Sequence, residues 1–173
     1  MRNGLFAFFL LLFVSLCAAA SNRTIDDTEG DSVTGALPVY SPSSSWDNAD
    51  CTGCLVVPSK SEAFDGTWTA ATYNPNLTEM SIQFSFTGTA IYIYFIIANQ
   101  VEYATTETAC NFTLDGTLEG SYEHEPADTT DFYYHVLTFS KADLENAEHS
   151  MTISTSGITD RNIFVNFDYA VYM

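Results

Sequence analysis

Ser81-Ile82-Gln83-Phe84-Ser85-Phe86-Thr87-Gly88-Thr89-Ala90-Ile91-Tyr92-Ile93-Tyr94-Phe95-Ile96-Ile97-Ala98 decides the fold class. In its first part Ile82, Phe84 and Phe86 alternate with Ser81, Gln83, Ser85 and Thr87, the period-2 pattern of a strand with one dry face and one wet face. Gly88 ends that run. From Thr89 to Ala98 both parities are apolar, as in a strand buried on both sides. A helix would be the competing reading, but the β-branched and Tyr content argues against it.

The same texture extends in both directions. Downstream, Asn111-Phe112-Thr113-Leu114 and Thr117 to Tyr122 flank Asp115-Gly116, a hairpin signal, because both turn residues must accept positive φ. Phe132 to Ser140, Met151 to Ser154 and Asn162 to Tyr172 read as further strands, with Ser156-Gly157 a turn and Lys141 to His149 a loop or short helical turn. Upstream, Phe64-Asp65-Gly66-Thr67-Trp68 sets a turn signal beside two large aromatics. Short strands at this spacing predict an all-β domain, a β-sandwich of jelly-roll type. No 20–50-residue period recurs, so a repeat array is excluded.

At the front, Met1-Arg2-Asn3, the apolar run from Leu5 to Cys17 and Ala18-Ala19-Ala20 have the layout of a secretory signal peptide, with cleavage expected after Ala20. The apolar run is shorter than the ~20 residues a membrane span needs, and no second run of that length follows. The predicted organisation is a signal peptide over 1–20, a flexible acidic segment over 21–37 and a sandwich domain over 38–173. The product is expected outside the cell, in an oxidising place. Sequons at Asn22, Asn76 and Asn111 fit that route. On the predicted strand Asn111 and Thr113 share the face opposite Phe112 and Leu114, so this sequon is expected to point outward.

Acidic residues number 22 against 5 basic ones, for a formal net charge of −17. After the leader the cations are Arg23, Lys60, Lys141 and Arg161. A field of that sign repels phosphate backbones and anionic lipid, which excludes nucleic acid as a partner. Three cysteines remain beyond the leader, Cys51, Cys54 and Cys110. An odd count gives one disulfide and one free thiol, with the bridge either within Cys51 and Cys54 or from one of them to Cys110. The Cys-x-x-Cys spacing has no βαβ setting for thioredoxin-type chemistry and no evident further ligands for zinc.

The order Phe64-Asp65-Gly66-Thr67-Trp68, then Phe84 to Tyr94 with its Gly88 corner, then Phe112-Thr113-Leu114-Asp115-Gly116, Leu144 with His149, and Phe167-Asp168-Tyr169 resembles the galactose-binding domain-like jelly rolls, the superfamily of many non-catalytic carbohydrate-binding modules. More narrowly it resembles a large group of secreted or membrane-anchored proteins of mushroom-forming fungi. The resemblance covers Trp46 to Tyr172. In that group a Cys-x-x-Cys precedes the Asp-Gly-Thr-Trp segment, matched here by Cys51 and Cys54, which favours their pairing with each other. Sugar-binding jelly rolls often carry a structural ion, so the resemblance implies calcium as a candidate cofactor, with Asp65 and Asp168 as candidate ligands. A buried Asp168 could equally be satisfied by backbone N–H groups or a Tyr hydroxyl.

The chain has no Gly-x-Ser-x-Gly elbow, no His-Glu-x-x-His and no P-loop. His124, His135 and His149 each sit where a structural role suffices. Two carboxylates would serve a glycosidase, but any acidic chain meets that condition. Glycan recognition is the sharper expectation, because flat rings stack on pyranose faces while amides and carboxylates grip hydroxyls. Trp46, Asp65, Trp68, Tyr73, Asn99 and Tyr103, together with Asp47 and Asn48, are the candidates, all in or beside predicted loops. Core packing is the competing role for Trp68. The alternatives for the whole protein are a structural or interaction protein of the extracellular surface and, less favoured, a secreted hydrolase.

Overall fold

The computed structural model of the protein describes residues 21–75 and 78–173. Its strands are β1 (Arg23–Asp26), β2 (Gly30–Asp31), β3 (Val39–Ser41), β4 (Asp47–Asn48), β5 (Thr69–Tyr73), β6 (Ser81–Gly88), β7 (Ile91–Ile97), β8 (Thr108–Leu114), β9 (Thr117–His124), β10 (Tyr133–Lys141), β11 (Ala147–Ser154) and β12 (Ile163–Tyr172). They form two sheets in which neighbouring strands pair antiparallel. The seven-stranded sheet runs β10-β7-β12-β1-β2, with β5 on the other half of β12 and β4 on β5. The five-stranded sheet runs β3-β6-β11-β8-β9. The expected all-β sandwich of jelly-roll type is what the chain builds. Among the described residues no helix is long and apolar enough to cross a membrane.

Alternation explains the core. Ile82, Phe84 and Phe86 of β6 meet Ile91, Ile93, Phe95 and Ile97 of β7, with Phe112, Leu114, Met151, Ile153, Val165 and Phe167 completing one interior between the sheets. The double-sided pattern of β7 has a local cause. Its inward residues fill that interior, whereas Ile96 and the following Ala98 turn outward into a second apolar cluster with Val56, Trp68, Ala70 and Phe164. The long connection from β4 to β5 lies over this outer face of the seven-stranded sheet and supplies Ala49, Val56, Ala63 and Trp68 to the cluster. Gly88 sits where the chain end passes: a Cβ there would collide with the Met173 backbone carbonyl.

The N-terminal stretch departs from expectation. Residues 21–37 are not a flexible lead-in. Arg23 to Asp26 pair with Tyr172 back to Tyr169, and β2 pairs with β1. Ile25 is wholly buried, and Asp26, Asp27 and Asp31 are buried beside it. One apolar residue among polar neighbours carries no periodicity. What orders the segment is a free edge on β12, and backbone pairing needs no particular side chains. Replacing Ile25→Ala should therefore cost about 2–5 kcal/mol. A loss under ~0.5 kcal/mol in denaturant unfolding would mean that the strand is dispensable.

The β8–β9 hairpin forms as read, with φ of 51° at Asp115 and 78° at Gly116. Asp115 also ties the turn to β11: its carboxylate accepts from His149 Nδ1 at 2.7 Å and from the Ser150 N–H at 2.8 Å. His149 Nε2 lies 2.9 Å from the Glu145 carbonyl, so both ring nitrogens face acceptors, as an imidazolium requires. The hydrogen bond to Asp115, then that to Glu145, raises the His149 pKa, and His149 in turn lowers that of Asp115. The sign follows from linkage: the His149 contribution is complete below its unfolded pKa and is lost as pH rises through the raised one. The Asp115 contribution is present above its unfolded pKa and is lost as pH falls through the lowered one. The stability difference between wild type and His149→Gln should thus be greatest near pH 5–6 and shrink towards pH 8. A pH-independent difference would remove the ion pair from this account.

Candidate functional site

Two constellations stand out. The first is a cavity of about 290 Å³ on the outer side of the seven-stranded sheet, where the β4–β5 connection folds over it. Trp68, Ala70 and Phe164 are among its lining residues, with Leu55, Val56, Val57 and the two half-cystines from the connection. Asp47 and Asn48 of β4 and Tyr103 of the 98–107 loop join them. The Cys51–Cys54 disulfide is present, with Cα atoms 5.8 Å apart. It closes a four-residue loop that fixes the cavity wall. Cys110, the alternative partner, is a free thiol buried in the main core, and burial pushes its pKa up, so it is inert.

Trp68 is only 4 % exposed and packs in the outer cluster while lining the cavity. Tyr103 is 89 % exposed and has a φ of 64°. Leu55 and Val57 are exposed beside the same opening. The arrangement offers apolar and aromatic surface next to one carboxylate and one amide.

The other sequence candidates scatter. Trp46 lies in a different recess, packed on Tyr40 with ring centroids 5.2 Å apart and its Nε1 donating to the Ser41 carbonyl. Tyr73 is a core residue, 3 % exposed, because β5 turns it inward. Asn99 is 1 % exposed and fully engaged: its Nδ2 donates to the Asp131 carbonyl, and its Oδ1 meets the Ala127 N–H and His124 Nε2. It staples two loops and cannot reach a ligand, and the same bond gives His124 its structural role. Of the sequon residues, Asn22 is exposed, Asn76 lies outside the described residues, and Asn111 is half-buried with Nδ2 donating to the Ser156 carbonyl at 2.8 Å.

The second constellation is acidic. Asp26 and Asp27 at the end of β1 and Asp168 on β12 are each at most 2 % exposed, and Asp65 stands in the adjoining turn with a φ of 48°. Asp168 Oδ1 accepts from the Phe64 N–H at 3.0 Å. Its Oδ2 is buried with no hydrogen-bond partner, and no Tyr hydroxyl reaches it among the described residues. His135 Nδ1 lies 3.7 Å from it. Burial first, then the neighbouring carboxylates, push the Asp168 pKa to about 7. Burial likewise pushes Asp27 to about 6, although the Thr69 and Thr67 hydroxyls oppose it. Both groups hold their protons more tightly folded than unfolded, so stability falls as pH rises from 3.8 through these values.

Calcium needs several oxygens converging on one point. Among the described residues no three of the Asp26, Asp27, Asp65 and Asp168 carboxylates bring ligand oxygens within 4.8 Å of one another, so the calcium expected at Asp65 and Asp168 finds no assembled donor set here. Asp26 Oδ1 is instead used by the Thr28 and Glu29 N–H groups and Asp27 Oδ2 by the Thr69 hydroxyl. Asp65 and Asp168 were legible as candidates, but Asp26 and Asp27 were not, since nothing in a polar N-terminal run marks them as buried. Sequence reading also missed the ring stack above this cluster. Tyr169 lies between Phe64 at 4.3 Å and Tyr94 at 4.6 Å, and its hydroxyl pKa is pushed up to about 12, chiefly by burial.

No family model matches the chain, and no curated protein matches it. Among solved structures the chain is similar to the Agl-KA catalytic domain, with a TM-score of 0.52 and 9 % identity over 96 % of this chain and 30 % of that one. It is also similar to a family 35 carbohydrate-binding module from Clostridium thermocellum, with a TM-score of 0.48 and 10 % identity over 88 % of this chain and 97 % of that one. A third similar structure is a Paenibacillus cycloisomaltooligosaccharide glucanotransferase complexed with cycloisomaltoheptaose, at a TM-score of 0.39 and 15 % identity, covering 58 % of this chain and 16 % of that one. The chain thus spans less than a third of the length of either enzyme. At such identities the likeness is one of fold.

Because the Asp27 and Asp168 carboxyls bind protons more tightly in the folded state, the unfolding midpoint should fall as pH rises through about 6 and about 7, and Asp168→Asn should flatten that fall. A wild-type midpoint no more pH-dependent than that of Asp168→Asn would remove this buried carboxyl from the account.

Proposed function

We propose that the protein is a secreted, non-catalytic module that recognises a glycan at a cell wall or cell surface. The observation that carries this is the cavity beside the disulfide, where the Trp68 and Tyr103 rings accompany Asp47 and Asn48. Aromatic faces stack on the apolar faces of pyranose rings, and an amide with a carboxylate serves the hydroxyls. The apolar leader with its Ala18-Ala19-Ala20 end, the three sequons and the disulfide support secretion.

Non-catalytic binding is favoured over glycoside hydrolysis by the lining itself. Hydrolysis calls for two carboxylates flanking the scissile bond. Asp47 is the one carboxylate among the described residues that line the cavity.

An array of neutral cell-wall and cell-surface glycans, probed with and without calcium, tests the proposal; flat signal throughout would end it. Tyr103→Ala should weaken binding about tenfold, the size of one lost aromatic contact, with the unfolding midpoint unchanged. Trp68→Ala should instead destabilise the fold by about 3–5 kcal/mol, since the ring packs in the outer cluster.

A further inference from the structure

The cavity beside the disulfide has a neighbour. A cleft of about 480 Å³ is lined by Trp46, Tyr40, Asp27, Thr28, Thr69 and Asn48, together with the aliphatic Leu37, Pro38 and Val39. Asn48 lines both recesses. In the pairing of β4 with β5, Asp47 lies opposite Ala70 and Asn48 opposite Thr69. Ala70, Ala71 and Thr72 line the cavity and Thr69 the cleft, so the two recesses adjoin along β5 and meet at Asn48. The outer strand there is β4, paired on β5. Asp47 and Asn48 are both exposed on it.

The two recesses repeat one chemistry. Each has an accessible aromatic ring, Tyr103 in the cavity and the half-buried Trp46 in the cleft. Each lining includes one carboxylate, the exposed Asp47 and the buried Asp27, and they share the exposed Asn48 amide. Among the described residues neither lining contains a Lys or an Arg. Trp46 is braced by Tyr40 and by its bond to the Ser41 carbonyl, so little rotamer freedom remains to be lost on binding.

Resting on the glycan reading of the cavity, we propose that the ligand is an uncharged polysaccharide chain whose sugar units fill both recesses at once, crossing over β4, with Tyr103 and Trp46 at the two ends and Asn48 touched from either side. The exposed Asp47 carboxylate, the lack of a cation among the described residues of either lining and a net charge of −17 repel uronate-bearing chains. Once one recess holds part of a chain, the next units reach the second at high effective concentration. Affinity must then climb with chain length until both recesses are filled, and level off.

Calorimetry with neutral β-1,3-, β-1,4- and α-1,3-linked oligosaccharides of one to eight residues tests this on the whole secreted chain. The expected result is at least a tenfold rise in affinity between the short and long members of the series that binds. Trp46→Ala should bring the long members down to the affinity of the short ones and leave the short ones unchanged, whereas Tyr103→Ala weakens all. Because Trp46 packs partly against the core, a second measurement guards against misfolding. In Trp68→Phe, Trp46 is the sole tryptophan, and long chains should shift its emission while short ones do not. Binding that is independent of length, Trp46 emission indifferent to long chains, or tighter binding of polyuronates would overturn the two-recess proposal while leaving glycan recognition standing. Absence of binding to every glycan would remove both.

Discussion

The covering of β12 on both faces and along both edges is the constraint on which the rest depends. On one side it is bonded to β7, and on the other its first half holds β5 and its second half β1. Ile163, Val165, Phe167, Ala170 and Tyr172 go to the interior, while Phe164 joins the outer cluster. A strand so placed cannot leave its outer face to water. The β4–β5 connection lies over it, and the disulfide, Trp68 and β4 come with that cover. The recesses proposed to bind glycan thus arise from the way one sheet hides its second face. Between Phe167 and Tyr169 the register with β7 shifts, and Asp168 sits at that irregularity, buried beside the N-terminal carboxylates.

Electrostatics divides into a surface part and an interior part. On the surface, Arg161, Lys60 and Lys141 are paired with carboxylates. Arg161 lies between Glu107 at 2.6 Å, Glu123 at 3.1 Å and Asp160 at 3.5 Å, while Lys60 and Lys141 pair with Asp50 and Glu119. Exposed pairs of this kind contribute little to stability. The remaining negative charge disfavours the approach of anionic ligands. Inside, Asp27 and Asp168 share a small volume with Asp26, and burial makes their charge costly. Protons relieve that cost, and the relief fades as pH rises through about 6 and about 7.

Much of the architecture was legible in particular residues. The alternation Ile82, Phe84, Phe86 and the Asp115-Gly116 turn each report a local rule, period-2 burial and positive φ, that does not depend on distant partners. The Ser21 to Gly35 run broke no such rule, yet it contains β1 and β2, because its order comes from the open edge of a strand that lies more than 130 residues further on. Of the candidate binders, Tyr73 and Asn99 were read by residue type and loop proximity. Their burial was settled by which way β5 turned and by which loop came to lie beside Asn99.

Sequence by itself determined the β class, the hairpin register, the apolar stock of the interior and the sign of the electric field, since each follows from residue type and short-range spacing. Only the tertiary structure decided that Cys51 pairs with Cys54 and leaves Cys110 enclosed, that Asp26 and Asp27 come near Asp168, and that Trp46 and Tyr103 line two recesses that meet at Asn48. Apart from the short Cys51–Cys54 bridge, those are meetings between segments far apart in the chain. They are fixed by sheet order and by which edges remain to be covered, quantities that no local pattern encodes.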